Sequence, residues 1–138
     1  MHPSFSIVFF TTASGAGFGL MFLLGLGVPL GLLPIDPWFG LTSLATAVVL
    51  AVGGLVSSAF HLGRPERAWR AFSQWRSSWL SREGVLSVVT LTAAAVFAVG
   101  WIFFGAFAGI SGLFGIFAAV LAAATICCTA MIYASLKP

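Results

Sequence analysis

Two ionisable side chains stand at the borders of otherwise apolar sequence. His61 closes one hydrophobic run and Glu83 opens the next. An imidazole has an ordinary pKa of about 6.5, so it gains and loses protons near neutrality. A carboxylate beside it supplies a second proton acceptor. If the two runs are antiparallel neighbours, the pair can converge at one membrane depth. Together they could take the two protons of a lipid-soluble hydroquinone as its electrons leave. The bland alternative is that His61 caps a helix end while Glu83 pairs with Arg64 or Arg82. Ionisable groups at membrane depth are costly and tend to serve function, which keeps the two readings close. Arg64 and Arg82 flank the pair. They could steady negative charge developing on an oxidising ring, fix Glu83, or reach into lipid headgroups. Trp79, with Trp69 and Trp75, reads as an interfacial aromatic belt or as part of a quinone-ring pocket.

These residues share one segment, positions 60–84. It holds seven of the nine Lys, Arg, Asp and Glu residues, one of the two histidines and three of the five tryptophans. The charged fraction of the whole chain is only 7%, with 60% hydrophobic residues. A globular domain carries about 25% charge. Nine charges cannot clothe a water-facing surface, so composition points to an integral membrane protein. The net charge of +3 then reads as topology signal and surface contact rather than as a nucleic-acid footprint, because no basic face exists outside the one loop. The cysteines, Cys127 and Cys128, are adjacent inside an apolar run. Helix neighbours point about 100° apart, which suits neither zinc nor iron–sulfur ligation, so they read as small packing residues. A haem held by two axial histidines would need a better-placed second His than His2, and no haem or metal is expected in this chain.

Apolar runs long enough for a bilayer, about 20 residues each as helices, fall at positions 5–33, 39–62, 85–108 and 113–136. The fold expected is all-α, with four transmembrane helices and one membrane domain over positions 1–138. The basic stretch 63–84 separates the second and third spans. The first run lacks the Lys or Arg of a secretory n-region and reads as a retained span. Gly15 and Gly19 have GxxxG spacing and are expected to pack a neighbouring helix; Gly53-Gly54 mark a close contact or a weak point. From Pro65 to about Trp79 the pattern predicts an amphipathic surface helix, with Trp69, Phe72 and Trp79 on one side and a Glu66–Arg70 pair on the other. Four spans place all six basic residues on one side and Asp36 on the other. The positive-inside rule makes the basic side cytoplasmic, although arginines recruited to hold a partner give the same asymmetry.

Three blocks carry a resemblance: MHPSFSIVFFTTASGAGFG at the start, SAFHLGRPERAWRAFSQWRSSWLSREG in the middle and MIYASLKP at the end. The middle block combines HLG-x-P, an Arg/Trp-rich stretch and S-x-W-L-S-x-E. The whole chain resembles the membrane anchor subunit of anaerobic dimethyl sulfoxide reductase. The resemblance implies a multi-pass subunit of the bacterial inner membrane with no redox cofactor of its own. Such an anchor oxidises menaquinol from the quinone pool. It passes the electrons to a four-cluster iron–sulfur subunit, which serves a molybdopterin catalytic subunit. The histidine of HLG and the glutamate of LSxE, implicated in menaquinol binding in that family, fall on His61 and Glu83. The family usually has eight spans, so this chain resembles an N-terminal half. Its usual topology is drawn opposite to the charge argument, which leaves the side of the basic loop open. Two rivals remain: a tether for soluble subunits without quinol chemistry, and a transporter-like half. The second would place ionisable residues in mid-span, where this chain has none.

Overall fold

The computed structural model describes residues 5–60, 64–105 and 109–136. Four long helices follow one another: α1 (Phe5–Gly27), α2 (Pro37–Ala59), α3 (Trp79–Phe104) and α4 (Ile110–Ala134). Each is long and apolar enough to cross a membrane. In hydrocarbon every backbone N–H and C=O must be satisfied within the segment, which is why such runs fold as helices. A 3-10 helix, Pro65–Gln74, joins α2 to α3.

The helix ends follow from local chemistry and shift the expected boundaries. Asp36 caps α2, its carboxylate accepting from the backbone N–H groups of Trp38 and Phe39 at 3.4 and 3.3 Å, and Pro37 occupies the first helical position. α1 stops at Gly27 rather than near position 33. Val28 precedes Pro29, which disfavours helix, and the chain turns through Gly31 at φ +74°. α3 begins at Trp79 rather than near position 85, with the Ser78 hydroxyl accepting from the Ser81 N–H at 3.4 Å. Glu83 therefore lies one turn inside a membrane helix, not at the loop border.

The connecting segment also departs from expectation. It winds as a 3-10 helix, in which residues three apart eclipse, so Glu66 and Arg70, four apart, fall out of register. They form no ion pair; the Arg70 guanidinium instead lies 5.4 Å from the Trp69 ring centroid. Phe72 turns back onto α3, so close to Gly84 that a Cβ there would stand 3.2 Å from the ring.

In the bundle, α1 packs against α2 and α4, and α3 packs against α4, while α2 and α3 touch little. The close approach of α1 and α2 runs through Gly17, where a Cβ would stand 2.6 Å from the Ala47 carbonyl oxygen and 2.5 Å from the Ala51 nitrogen. Gly54 sits as closely against Ser14, and Gly25 of α1 meets the backbone of Gly115 on α4. The expected Gly15–Gly19 contact is absent: nothing lies within 4 Å of a Cβ built at either, nor at Gly53. Gly17 is two residues from each of that pair, about 200° round the helix, and its face is the packed one. Towards the end bearing Asp36 the core is aromatic. Leu24, Val28, Leu44 and Phe97 are buried around Trp101, whose ring centroid lies 5.6 Å from that of Phe97.

Candidate functional site

The other end of the bundle is polar inside. Glu83 is only 2% exposed, and the Thr129 hydroxyl of α4 donates to its Oε1. One turn deeper, the Ser87 hydroxyl donates to the Glu83 backbone carbonyl at 2.7 Å. Below that, the buried hydroxyls of Thr90 and Thr125 meet across the α3–α4 contact at 3.3 Å. A carboxylate and a hydroxyl ladder thus line one helix–helix seam, with Glu83 at its membrane-surface end. An acid in an apolar bundle is tolerated when a partner satisfies it and serves as a marker of function.

Glu83 also forms part of a cleft. The last turns of α2, the 3-10 helix and the first turns of α3 enclose about 190 Å³. Leu55, Phe72, Leu80 and Leu91 give it apolar walls, while Ser58 and Glu83 contribute polar groups. The weak α2–α3 contact is what leaves this space, and Phe72, held on Gly84, covers it from the membrane surface. The site therefore presents an apolar slot with a carboxylate on one wall and hydroxyls nearby. It can hold a flat, apolar molecule and exchange a proton with it.

The residues singled out from sequence are distributed unevenly. Glu83 is on the cleft wall. His61 lies outside the described residues; in the chain it directly follows Phe60, the C-cap of α2. Arg64 stands exposed at the start of the 3-10 helix and is not in the lining. Arg82 does not turn to Glu83. Its Nε and Nη2 donate to the carbonyls of Trp75 and Arg76 at 2.9 and 2.7 Å, and its guanidinium lies 4.3 Å from the Trp79 ring centroid. Arg82 and Trp79 thereby fasten the loop to the top of α3, beside the cleft rather than in it. Thr129, which sequence reading missed, is the partner that Glu83 finds. A signal existed: Glu83, Ser87 and Thr90 on α3, and Thr125 and Thr129 on α4, are polar positions at helical spacing in apolar runs.

These features define an all-helical, multi-pass membrane protein with an acid held inside one end of its bundle, beside an apolar cleft. The chain belongs to the DMSO reductase anchor subunit (DmsC) family, whose model matches residues 1–137. It is 41% identical over 154 aligned residues to a sulfite dehydrogenase subunit from Allochromatium vinosum (strain ATCC 17899), an alignment covering 99% of this chain and 46% of that protein. The chain therefore spans about half the length of the curated relative it matches. No solved structure matches it.

Proposed function

We propose that the chain forms the quinol-handling part of a membrane anchor, binding menaquinol in the Glu83 cleft and oxidising it. The observation that carries this reading is a buried carboxylate on the wall of an apolar slot, at the membrane-surface end of the bundle. The hydroquinone ring lies between the Phe72 side and α3, and one ring hydroxyl gives its proton to Glu83. His61, next to the end of α2 in the chain, takes the second proton. The two electrons leave to an iron–sulfur subunit and from there to a molybdopterin catalytic subunit, at the bacterial inner membrane. The family description, an anchor subunit, and the relative's name, a dehydrogenase subunit, both support membership of a multi-subunit complex.

A second reading draws on that same relative, which is named for a dehydrogenase. Proton exchange at a carboxyl group runs in both directions, so the same cleft would reduce a quinone if the partner subunits delivered electrons. The class of substrate is unchanged.

Binding is tested with a fluorescent hydroquinone analogue added to membranes that hold the complete complex. Saturable quenching is expected, and Ser58→Trp, which fills the cleft from the α2 side, is expected to abolish it. Quenching that is absent from the parent, or that is unaltered in the variant, would leave the chain a tether.

A further inference from the structure

We propose that Thr129 carries the proton of Glu83 through the α3–α4 seam, out of the cleft and into a second cavity on the α1–α4 side, where it meets the surface beside Thr11 and Tyr133. This rests on the reading that Glu83 takes a proton in the cleft.

Thr129 belongs to both sides of the seam. Its hydroxyl bonds to Glu83 Oε1, yet it does not line the cleft. It lines instead a cavity of about 160 Å³ between α1 and α4, together with Thr11, Gly15 and Tyr133. Glu83 is absent from that second lining, and the two cavities share no residue. The Glu83–Thr129 hydrogen bond therefore links one space to the other.

The chemistry of a hydroxyl suits this position. It has one hydrogen to give and two lone pairs to accept with. Thr129 Oγ1 lies 3.1 Å from the Thr125 carbonyl oxygen as well as against Glu83. When Glu83 is ionised, the Thr129 hydrogen points to the carboxylate. When Glu83 is protonated, its O–H donates to Thr129, whose hydrogen turns to the Thr125 carbonyl or to a water in the cavity. Both states keep their hydrogen bonds, so no buried polar group is orphaned as the proton comes and goes. In the transfer itself, the Glu83 proton moves to Thr129 Oγ1 while the Thr129 hydrogen moves to the cavity water. One proton leaves, the carboxylate is restored and no electrons are involved.

The cavity can hold that water. Its volume is well above the roughly 10–15 Å³ that one water occupies, and three hydroxyls line it. Thr129 and Tyr133 are one turn apart on the same face of α4. The Tyr133 and Thr11 hydroxyls are 2.7 Å apart. Thr11 gives its hydrogen to the Ile7 carbonyl at 3.0 Å, so the tyrosine is the donor of that pair. Tyr133 is 39% exposed, which puts the mouth of the cavity at the surface. Gly15 keeps the space open, since no atom lies within 4 Å of a Cβ built there. Such a route lets the proton escape without admitting water to the quinol cleft.

The test uses the complete membrane complex and reads quinol-dependent turnover, its solvent deuterium isotope effect and quinol-analogue quenching. Thr129→Val is expected to slow turnover about tenfold and raise the isotope effect, in line with loss of a positioned proton-transfer group. Thr129→Ser, which restores the hydroxyl, should return turnover to within about twofold of the parent. Gly15→Leu fills the second cavity without touching the hydrogen bond and should also slow turnover, with quenching unchanged in all three. Parental turnover and isotope effect in Thr129→Val or Gly15→Leu, alongside an inactive Glu83→Gln, would overturn the route and leave the cleft reading standing. Failure of Ser to rescue would reduce Thr129 to a packing residue and overturn it too. An active Glu83→Gln would overturn the cleft reading and this route together.

Discussion

The two ends of this bundle are built from the same four helices and differ in what fills them. Near Asp36, large side chains close the space: Trp101, Phe97, Leu24 and Val28 are buried against one another, and Gly40 lets α2 lie directly on the Trp101 ring. Near the basic segment, Glu83, Ser87, Thr90, Thr125 and Ser14 are the buried residues, and two cavities flank them. Helices in lipid gain nothing by burying apolar surface from water, so the aromatic end holds the bundle through close contact and dispersion. The polar end gives up contact for space and for groups that can hold a proton. The comparison assigns stability to one end and chemistry to the other, and each assignment can be tested separately.

The largest effect on stability is expected from Trp101→Ala. Emptying that site should cost about 3–5 kcal/mol, read as earlier unfolding in a denaturant titration of the detergent-solubilised protein. Quinol-analogue quenching of the surviving folded fraction should be unaltered; loss of quenching at unchanged stability would reverse the assignment of the ends. Next comes Gly17→Val, which forces a side chain into the Ala47–Ala51 backbone and should cost about 1–3 kcal/mol in the same titration. Thr90→Val removes the hydroxyl contact with Thr125 and should cost about 0.6 kcal/mol. A cost of several kcal/mol there would make the polar seam a structural strut. The smallest effect belongs to Gly15→Ala. With nothing near its Cβ, this variant should stay within about 0.5 kcal/mol of the parent. Its contrast with Gly17→Val checks which face of α1 is packed.

Much of this architecture was legible in the chain. The four spans stood out because apolar runs of bilayer length permit no other fold, and Glu83 stood out because a charge beside such a run is rare. What the sequence concealed was register. Arg82 looks like the natural partner of Glu83, but adjacent helical residues point about 100° apart, and Arg82 serves the loop carbonyls instead. Thr129 is 46 positions away, and only the packing of α3 on α4 brings it to the carboxylate. GxxxG spacing misled for a similar reason: sixteen glycines make the pattern common, and the packed face passed through Gly17. The Glu66–Arg70 spacing presumed an α-helix where the chain winds more tightly. His61 lies outside the described residues, so its share in the site rests on its place in the sequence and on the resemblance.

The measurement closest to the central claim is menaquinol-dependent electron delivery by the complete complex carrying Glu83→Gln. The amide keeps the shape and the bond to Thr129 but cannot take a proton. Turnover with quinol is expected to fall by about 100-fold or more, while turnover with an artificial donor that feeds the soluble subunits directly stays at the parental level. Parental rates with both donors would contradict the account and leave these helices a passive mount.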